Sequence, residues 1–295
     1  MKSTTVKQYD KYYVPEQSHW PIVGAVALFF VATGAGLTVM QIGKQAASGS
    51  YLLMAGAAVL FFMLFGWIKN VIHESMAGLY SKQMDFSFRQ SMGWFIFSEV
   101  MFFMAFFGVL FYARIFSVPW LGGAGNNAMT NALLWPDFQA AWPLIKTPSG
   151  ETTRAMGWFG LPLLNTFILL TSSVTLHFAH HALLADKRTQ LKVLMVVTVL
   201  LGISFLYFQA TEYSHAYHEL GLTLVSGIYG NIFYLLTGFH GMHVTLGAIM
   251  LLIVSMRIFN GHFNKGNHFA FQAAAWYWHF VDLVWLCLFF FVYVV

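Results

Sequence analysis

Residues 268–295 read HFAFQAAAWYWHFVDLVWLCLFFFVYVV, and this stretch decides the fold class. It is apolar along almost its whole length and exceeds the roughly 20 residues that an α-helix needs to cross the hydrocarbon core of a bilayer. Three Trp residues, His279 and Asp282 lie inside it. An ionisable side chain at this depth is costly, so the His and the Asp require an enclosed partner or a function. The stretch therefore predicts a membrane-spanning helix with a polar site near its middle.

The composition extends this interpretation to the whole chain. The 295 residues are 58% hydrophobic and 9% charged, well below the roughly 25% of charged residues in soluble domains. The net charge of +4 comes from basic residues spread over short segments, not from the continuous basic surface that binds nucleic acid. Cys287 is the only cysteine, which excludes an intrachain disulfide and a cysteine-built metal cluster. The polar residues 1–18 predict no cleavable signal peptide.

Seven segments are long and apolar enough to span a bilayer. They are residues 20–43, 51–68, 88–116, 156–184, 191–213, 227–256 and 268–295. The expected fold is therefore all-α, a polytopic membrane protein with seven transmembrane helices arranged as a two-helix hairpin plus a five-helix bundle. The expected domains are a cytoplasmic N-terminal segment (1–19), the hairpin (20–69), an inside linker (70–87) and the bundle (88–295), which carries an outside loop at 117–155.

The basic residues predict the orientation, because cytoplasmic loops carry an excess of Lys and Arg. With the N-terminus inside, eleven of the 15 basic residues lie on the cytoplasmic side: Lys2, Lys7, Lys11, Lys69, Lys82, Arg89, Lys187, Arg188, Lys192, Arg257 and Lys265. The other four, Lys44, Arg114, Lys146 and Arg154, lie outside. We therefore expect the N-terminus on the cytoplasmic side and the C-terminus on the periplasmic side. Since the sequence favours no transit peptide, we expect a bacterial plasma membrane in preference to a mitochondrial inner membrane.

Glu99 is an ionisable residue deep in the third span. It lies about eleven residues into that span, which at 1.5 Å per residue is near the middle of the membrane. A charged carboxylate at this depth is costly, so we expect Glu99 to be neutral or held by a histidine at the same depth, namely His240, His243 or His279. Two interpretations stay open: a neutral, hydrogen-bonded interior residue, or a residue with a role in proton movement or in helix and subunit contact.

Two other spans carry ionisable residues three positions apart, and therefore on one helix face. His240 and His243 lie in the sixth span beside two glycines. Such a pair is able to bind a metal or haem, but the glycines favour close helix packing with interhelical hydrogen bonds. His279 and Asp282 in the seventh span favour a structural pair, either ion-paired or hydrogen-bonded.

Two polar clusters lie near span ends, where exposed side chains are expected. One, at the inner end of the fourth span, favours histidines at headgroup depth over metal ligands. The other, at the outer end of the fifth span, resembles a metal site, but exposed mixed charge is the favoured interpretation. The first comprises His177, His180 and His181, and the second comprises Glu212, Tyr213, His215, His218 and Glu219.

The sequence contains no nucleotide-binding, phosphate-cradling or nucleophile motif. From the residues alone, transporter, receptor and complex subunit all remain open.

Several motifs, in order along the chain, resemble those of subunit III of the haem-copper cytochrome c oxidases. The resemblance covers nearly the whole chain, and the last two motifs are highly specific. The motifs are His19-Trp20-Pro21; Arg89 with Ser98-Glu99-Val100; Leu161-Pro162-Leu163-Leu164-Asn165-Thr166; Ala179-His180-His181-Ala182-Leu183; Gln209-Ala210-Thr211-Glu212-Tyr213; Thr237-Gly238-Phe239-His240-Gly241-Met242-His243-Val244; and Trp276-Tyr277-Trp278-His279-Phe280-Val281-Asp282.

The resemblance implies a non-redox core subunit of a proton-pumping aerobic cytochrome c oxidase. Such a subunit supports proton uptake and protects the catalytic subunit from inactivation during turnover. It binds no haem or copper itself, and the implied partners are haem-copper subunit I, copper-bearing subunit II, cytochrome c as electron donor, and phospholipids held between hairpin and bundle. No residue is expected to be catalytic or to bind metal. The residues expected to be structural or to shape the proton environment are Glu99, His240, His243, His279 and Asp282.

The chain also departs from the family pattern. The usual Trp-Trp-Arg-Asp-Val-Ile-Arg-Glu after the second span reads Trp67-Ile68-Lys69-Asn70-Val71-Ile72-His73-Glu74 here. Lys69 keeps the charge but lacks the guanidinium fork, Asn70 lacks a carboxylate, Gln272 stands where the family usually has Glu, and the loop 117–155 has no match. Basic and aromatic side chains on the inner side still favour an anionic headgroup. We expect a lipid site that uses Trp67, Lys69, Glu74, Arg257 and His262.

Two alternatives are left. The first is the third subunit of a quinol oxidase or an accessory protein of nitric oxide reductase; these relatives typically have five spans, so the first hairpin favours the cytochrome c type. The second is a stand-alone transporter with Glu99 and Asp282 as proton sites. The sequence has neither an inverted repeat nor interrupted spans in corresponding halves, which disfavours this alternative.

Overall fold

The computed structural model describes residues 13–14, 17–41 and 47–295. Within these ranges the fold is all-α, and seven helices are long and apolar enough to cross a membrane. The predicted fold class is therefore confirmed. Lys2, Lys7, Lys11 and Lys44, which contributed to the predicted orientation, lie outside the described residues, as does most of the segment 1–19.

The described part of the chain contains seven long α-helices and two short ones, besides a 3-10 helix at Gly125–Asn127. Two π-helical segments continue the third and the last helix, at Ala113–Ser117 and Phe289–Val294. The helices are α1 (Trp20–Met40), α2 (Ser48–Met76), α3 (Lys82–Tyr112), α4 (Val118–Leu121), α5 (Ala128–Leu134), α6 (Leu161–Leu184), α7 (Arg188–His218), α8 (Ile228–Phe259) and α9 (Phe269–Leu288).

Several helices continue beyond the apolar segments that predicted them. Because α2 ends at Met76 and α3 begins at Lys82, residues 70–87, predicted as a linker, are helical except for 77–81. Polar residues continue a helix readily, whereas hydropathy marks only the part inside hydrocarbon. The start of α6 differs in the other direction: it was expected at 156 and lies at Leu161. Gly160 adopts a φ of 104° there and Pro162 occupies the first turn, both of which favour a helix start.

The chain separates into two compact units, Met1–Phe88 and Arg89–Val295. In the first unit, α1 and α2 form a hairpin whose backbones approach closely. Gly34 of α1 faces the backbone of Leu53, and Gly56 of α2 faces the backbone of Val31. A side chain at either glycine would collide with the facing helix, which is why small residues occur at tight contacts between membrane helices.

The second unit packs α6, α7, α8 and α9 around one buried indole. Trp278 of α9 is fully buried and lies between Gly202 of α7 and Gly247 of α8. A Cβ atom on these glycines would come within 2.7 Å and 2.9 Å of the ring. The Trp278 Nε1 donates a hydrogen bond to Ser172 Oγ of α6 at 2.9 Å. Four helices therefore meet at this side chain, and the bundle is centred on it.

The loop of the second unit that was predicted to lie outside is held by its own hydrogen bonds. Trp135 Nε1 donates to the carbonyl oxygen of Leu121 at 2.9 Å, which joins the two short helices α4 and α5. At the end of the loop, the backbone N–H of Met156 donates to the hydroxyl of Tyr229 at 3.3 Å. The loop is thereby connected to the start of α8.

Candidate functional site

Glu99 of α3 and His243 of α8 form a pair inside the second unit. Glu99 Oε2 lies 2.9 Å from His243 Nε2, and the two side chains are 22% and 6% exposed, respectively. The residues are 144 positions apart in sequence. They meet because α3 packs on α8, where the rings of Phe102 and Phe239 lie 5.1 Å apart, edge to face. The structure thus gives the mid-membrane carboxyl a specific partner.

The second ring nitrogen of His243 defines how many protons the pair holds. His243 Nδ1 lies 2.6 Å from the carbonyl oxygen of Phe239. A carbonyl oxygen only accepts hydrogen bonds, so Nδ1 carries a proton and donates it. His243 Nε2 then either accepts a hydrogen bond from protonated Glu99 or donates one to the Glu99 carboxylate. In both states a single proton lies between Nε2 and Oε2.

Aromatic rings enclose this pair. The ring of Phe103, which is buried, lies 5.0 Å from the His243 imidazole. The ring of Tyr277 on α9 stacks with the same imidazole at 6.5 Å. An apolar enclosure lowers the local dielectric and strengthens the Glu99–His243 interaction. The arrangement can hold a proton at mid-depth without leaving an isolated charge in hydrocarbon.

His240 has a different environment from His243, although both lie on α8. Its ring is fully buried, and Nε2 donates to the carbonyl oxygen of Val281 on α9 at 3.1 Å. The rings of Phe205 and Trp285 lie against it. The Nε2 atoms of His240 and His243 are therefore directed to different helices and are both engaged. This geometry does not fit a metal or a haem iron shared by the two imidazoles.

His279 and Asp282 of α9 are connected through a serine of α6. His279 Nδ1 lies 3.2 Å from Ser173 Oγ, and Ser173 also borders the carboxyl group of Asp282. Asp282 is 8% exposed, whereas the His279 side chain is exposed. Among the described residues these two side chains form no direct ion pair. The sequence did not indicate Ser173, because spacing within α9 carries no information about α6.

The residues predicted to hold a lipid headgroup belong to both units. In the first unit Trp67 is exposed, and Glu74 accepts a hydrogen bond from the hydroxyl of Tyr80 at 2.9 Å. In the second unit the Arg257 guanidinium is largely buried, 4.5 Å above the ring of Phe263. A lipid site that uses all of them stays a prediction. The full set is Trp67, Lys69, Glu74, Arg257 and His262.

The expected exposed charge at the outer end of the fifth span is wrong for Glu212. This side chain is 1% exposed, and its Oε1 accepts a hydrogen bond from the hydroxyl of Tyr293 at 2.6 Å. His215 and Glu219 do form an exposed pair at 3.0 Å. A signal was present: Glu212 falls inside the predicted span 191–213, where a solvated carboxylate is not expected.

The histidines near the C-terminal end of α6 do not converge on one point. The rings of His177 and His181, both exposed, lie 4.8 Å apart, while the ring of His180 lies 5.4 Å from that of His268. Over the residues that the structure describes, no three or more His, Cys, Asp or Glu side chains are arranged to hold a metal ion.

The chain is similar to one family over almost its whole length. The family model described as cytochrome c oxidase subunit III matches residues 10–295. The protein named cytochrome c oxidase subunit 3 of Prototheca wickerhamii is 38% identical over 280 residues, which cover 94% of this chain and 95% of that protein. The protein of the same name from Latimeria chalumnae is 36% identical over 283 residues, 96% of each chain. That from Gadus morhua is 34% identical over 287 residues, 97% of each chain.

These similarities agree with the seven membrane helices and with the carboxyl and imidazole groups buried among them. The chain belongs to the cytochrome c oxidase subunit III family, and it is therefore a multi-pass membrane subunit of an oxidase complex.

Proposed function

We propose that this chain is a non-redox core subunit of a proton-pumping aerobic oxidase, which supports proton uptake by the catalytic subunit and protects it from inactivation during turnover. The observation that carries the proposal is the Glu99–His243 pair. It is an enclosed, proton-holding group halfway along two membrane helices. Such a group can influence proton movement in an adjacent subunit through its charge distribution, without taking part in electron transfer.

The histidines of α8 support the non-redox part of this proposal. A haem or copper ligand must offer a free imidazole nitrogen to the metal. Both ring nitrogens of His243 are instead engaged, Nε2 by Glu99 and Nδ1 by Phe239. His240 Nε2 is engaged by Val281. Its Nδ1 makes no hydrogen bond within the described residues, but the imidazole is fully buried in the bundle and is not accessible to a haem. We therefore assign the haem and copper of the complex to partner subunits, the haem-copper subunit I and the copper-bearing subunit II.

Cytochrome c is the proposed electron donor to the complex. The supporting observation is that the relatives which match along 94% or more of this chain are named cytochrome c oxidase subunit 3. The described hairpin of α1 and α2 also distinguishes the chain from the five-span subunits expected of quinol oxidases. No observation favours the transporter alternative.

The proposed orientation places the N-terminus on the cytoplasmic side and the C-terminus on the periplasmic side of a bacterial plasma membrane. Among the described residues, the basic side chains Lys187, Arg188 and Lys192 lie between α6 and α7 or in the first turns of α7. Their concentration on one side supports that side as the inner one. Bound phospholipid at this inner surface is part of the same proposal.

The proposal is tested on the purified complex by detaching this chain in detergent and adding it back. The detached chain is expected to show no haem absorption in the Soret region and no copper. The depleted complex is expected to begin oxygen reduction at near its normal rate, to inactivate after fewer turnovers, and to regain its lifetime when the chain is returned. Stoichiometric haem or copper on the detached chain would contradict the proposal, as would an unchanged lifetime of the depleted complex.

A further inference from the structure

We propose that the face formed by α6 and α9 around His279 receives a transmembrane helix of a partner subunit, which offers a hydroxyl or amide side chain at mid-depth. This inference deepens the proposed function and rests on it, since it assumes that the chain works inside an oxidase complex. It specifies which surface of the chain a partner helix covers in that complex.

His279 is an exposed, incompletely bonded group in the middle of a membrane helix. It lies ten residues from the start of α9, a depth of about 15 Å at 1.5 Å per residue, roughly half of the hydrocarbon core. Its Nδ1 lies near Ser173 Oγ, whereas its Nε2 makes no hydrogen bond to the described part of the chain. Lipid acyl chains offer no partner to a ring nitrogen, and an unpaired polar group in an apolar medium is costly.

Other polar groups border the same position. His177 lies one turn from Ser173 on α6, is exposed, and is close enough to His279 to interact electrostatically with it. On α9, Asp282 Oδ1 is buried and makes no hydrogen bond within the described residues. These side chains form one polar patch that opens between the two helices. A patch of this kind at mid-depth is typical of a surface that contacts protein rather than lipid.

Apolar side chains surround the patch. On α9 Leu283, which is 60% exposed, and Trp276 lie on either side of His279, and on α6 Val174 and Phe178 flank His177. A polar centre with an apolar border matches the contact between two membrane helices, in which packing is supplemented by an interhelical hydrogen bond.

Other helices of the second unit expose faces that lipid can cover. The exposed mid-helix residues of α7 include Leu200 and Ile203, and those of α8 include Leu246 and Ile249. Thr245 of α8 is also exposed, but its hydroxyl donates to the carbonyl oxygen of Gly241 in its own helix at 2.8 Å. At these positions α7 and α8 need no external hydrogen-bond partner, whereas His279 on the α6–α9 face does, which favours a partner helix on that face.

A hydroxyl or amide fits the Nε2 of His279 in either tautomer, because both groups donate and accept hydrogen bonds. The first test measures how much of the chain detaches from the purified complex in detergent. In His279→Leu the detached proportion should rise about threefold to twentyfold, the range expected for loss of one interhelical hydrogen bond in a membrane. In His279→Gln, which can still donate and accept, it should stay near the wild-type value. Thr245→Leu is the matched control and should change nothing.

A second test keeps the proposal falsifiable if His279→Leu folds poorly. In a Cys287→Ser background, Leu283→Cys and the control Ile249→Cys are labelled with a photoactivatable maleimide in the intact complex. Leu283→Cys should give a covalent adduct with a peptide of a partner subunit, and Ile249→Cys should give lipid adducts.

Lipid adducts alone from Leu283→Cys would overturn the assignment of the face. Unchanged detachment of a folded His279→Leu chain would overturn the role of the hydrogen bond. A wild-type chain that is never recovered with haem-bearing subunits would instead contradict the proposed function itself.

Discussion

The hydroxyl of Tyr293 donates a hydrogen bond to Glu212 Oε1 at 2.6 Å, and this contact fastens the last turn of the chain to α7. Glu212 Oε2 makes no hydrogen bond within the described residues. The tyrosine is thus the partner that makes burial of this carboxyl tolerable, since an unpartnered polar group in a membrane bundle is destabilising.

Tyr293→Phe is expected to destabilise the second unit by about 1–3 kcal/mol, the cost of leaving a buried acceptor unsatisfied. The measurement is the midpoint of thermal unfolding in detergent. Tyr207→Phe is the matched control, because Tyr207 is exposed on α7, the helix that carries Glu212, and its replacement should be neutral. An unchanged midpoint for Tyr293→Phe would show that this contact does not stabilise the bundle.

The packing of Trp278 gives a second prediction. In Gly202→Ala the new Cβ would lie 2.7 Å from the Trp278 ring. Because a fully buried indole has little room to move, the free energy of unfolding should fall by about 1–3 kcal/mol. Gly241→Ala on α8 is the control, because nothing lies within 4 Å of its new Cβ. Thermal unfolding of both variants checks the difference. Equal midpoints would contradict the central position of Trp278.

The Glu99–His243 pair predicts strong coupling in a double-mutant cycle. Glu99→Leu and His243→Phe each leave one buried partner unsatisfied. Each should lower the free energy of unfolding by about 1–3 kcal/mol. The double variant should cost less than the sum of the two, with a coupling energy of about 0.5–3 kcal/mol. Additive losses would show that the two side chains do not depend on each other.

The sequence predicted the fold well because each span is recognisable from its own residues. The apolar runs predicted all seven membrane helices. The start of α6 was placed too early, because hydropathy does not register the turn at Gly160 and Pro162 that begins the helix. Helix ends were less accurate. In α2 the helix runs through Asn70 to Met76, beyond the apolar run, since helix hydrogen bonding does not stop where the bilayer does.

The sequence predicted the depth of the polar residues and offered a histidine as one possible partner of Glu99, but it did not predict which histidine. Hydropathy placed Glu99 and His243 inside the membrane, yet their contact joins residues 144 positions apart and depends on how α3 is rotated against α8. For the same reason Ser173 was missed beside His279. Glu212 was misjudged because it lies near a helix end, where exposure is common, although its depth argued for burial.

The predicted lipid site is tested with Arg257→Ala. Loss of this guanidinium from the last turn of α8 should reduce the phospholipid that co-purifies with the complex and loosen the attachment of the chain, because a cation favours an anionic headgroup. Lipid content is measured by mass spectrometry. Arg257→Lys keeps the charge and should retain more lipid, and Lys265→Ala, at an exposed loop position, is the control. Unchanged lipid in Arg257→Ala would count against the site.

The most direct test of the central claim is the proton-to-electron ratio of the complex that carries Glu99→Gln. Glutamine keeps the shape of Glu99 and can hydrogen-bond to His243 Nε2, but it has no titratable proton. We expect the variant to assemble, to keep most of its oxygen reduction and its proton pumping, and to inactivate after fewer turnovers than the wild type. Complete loss of proton pumping, with normal assembly and electron transfer, would place Glu99 on the pumping path and contradict the supporting role proposed for this chain.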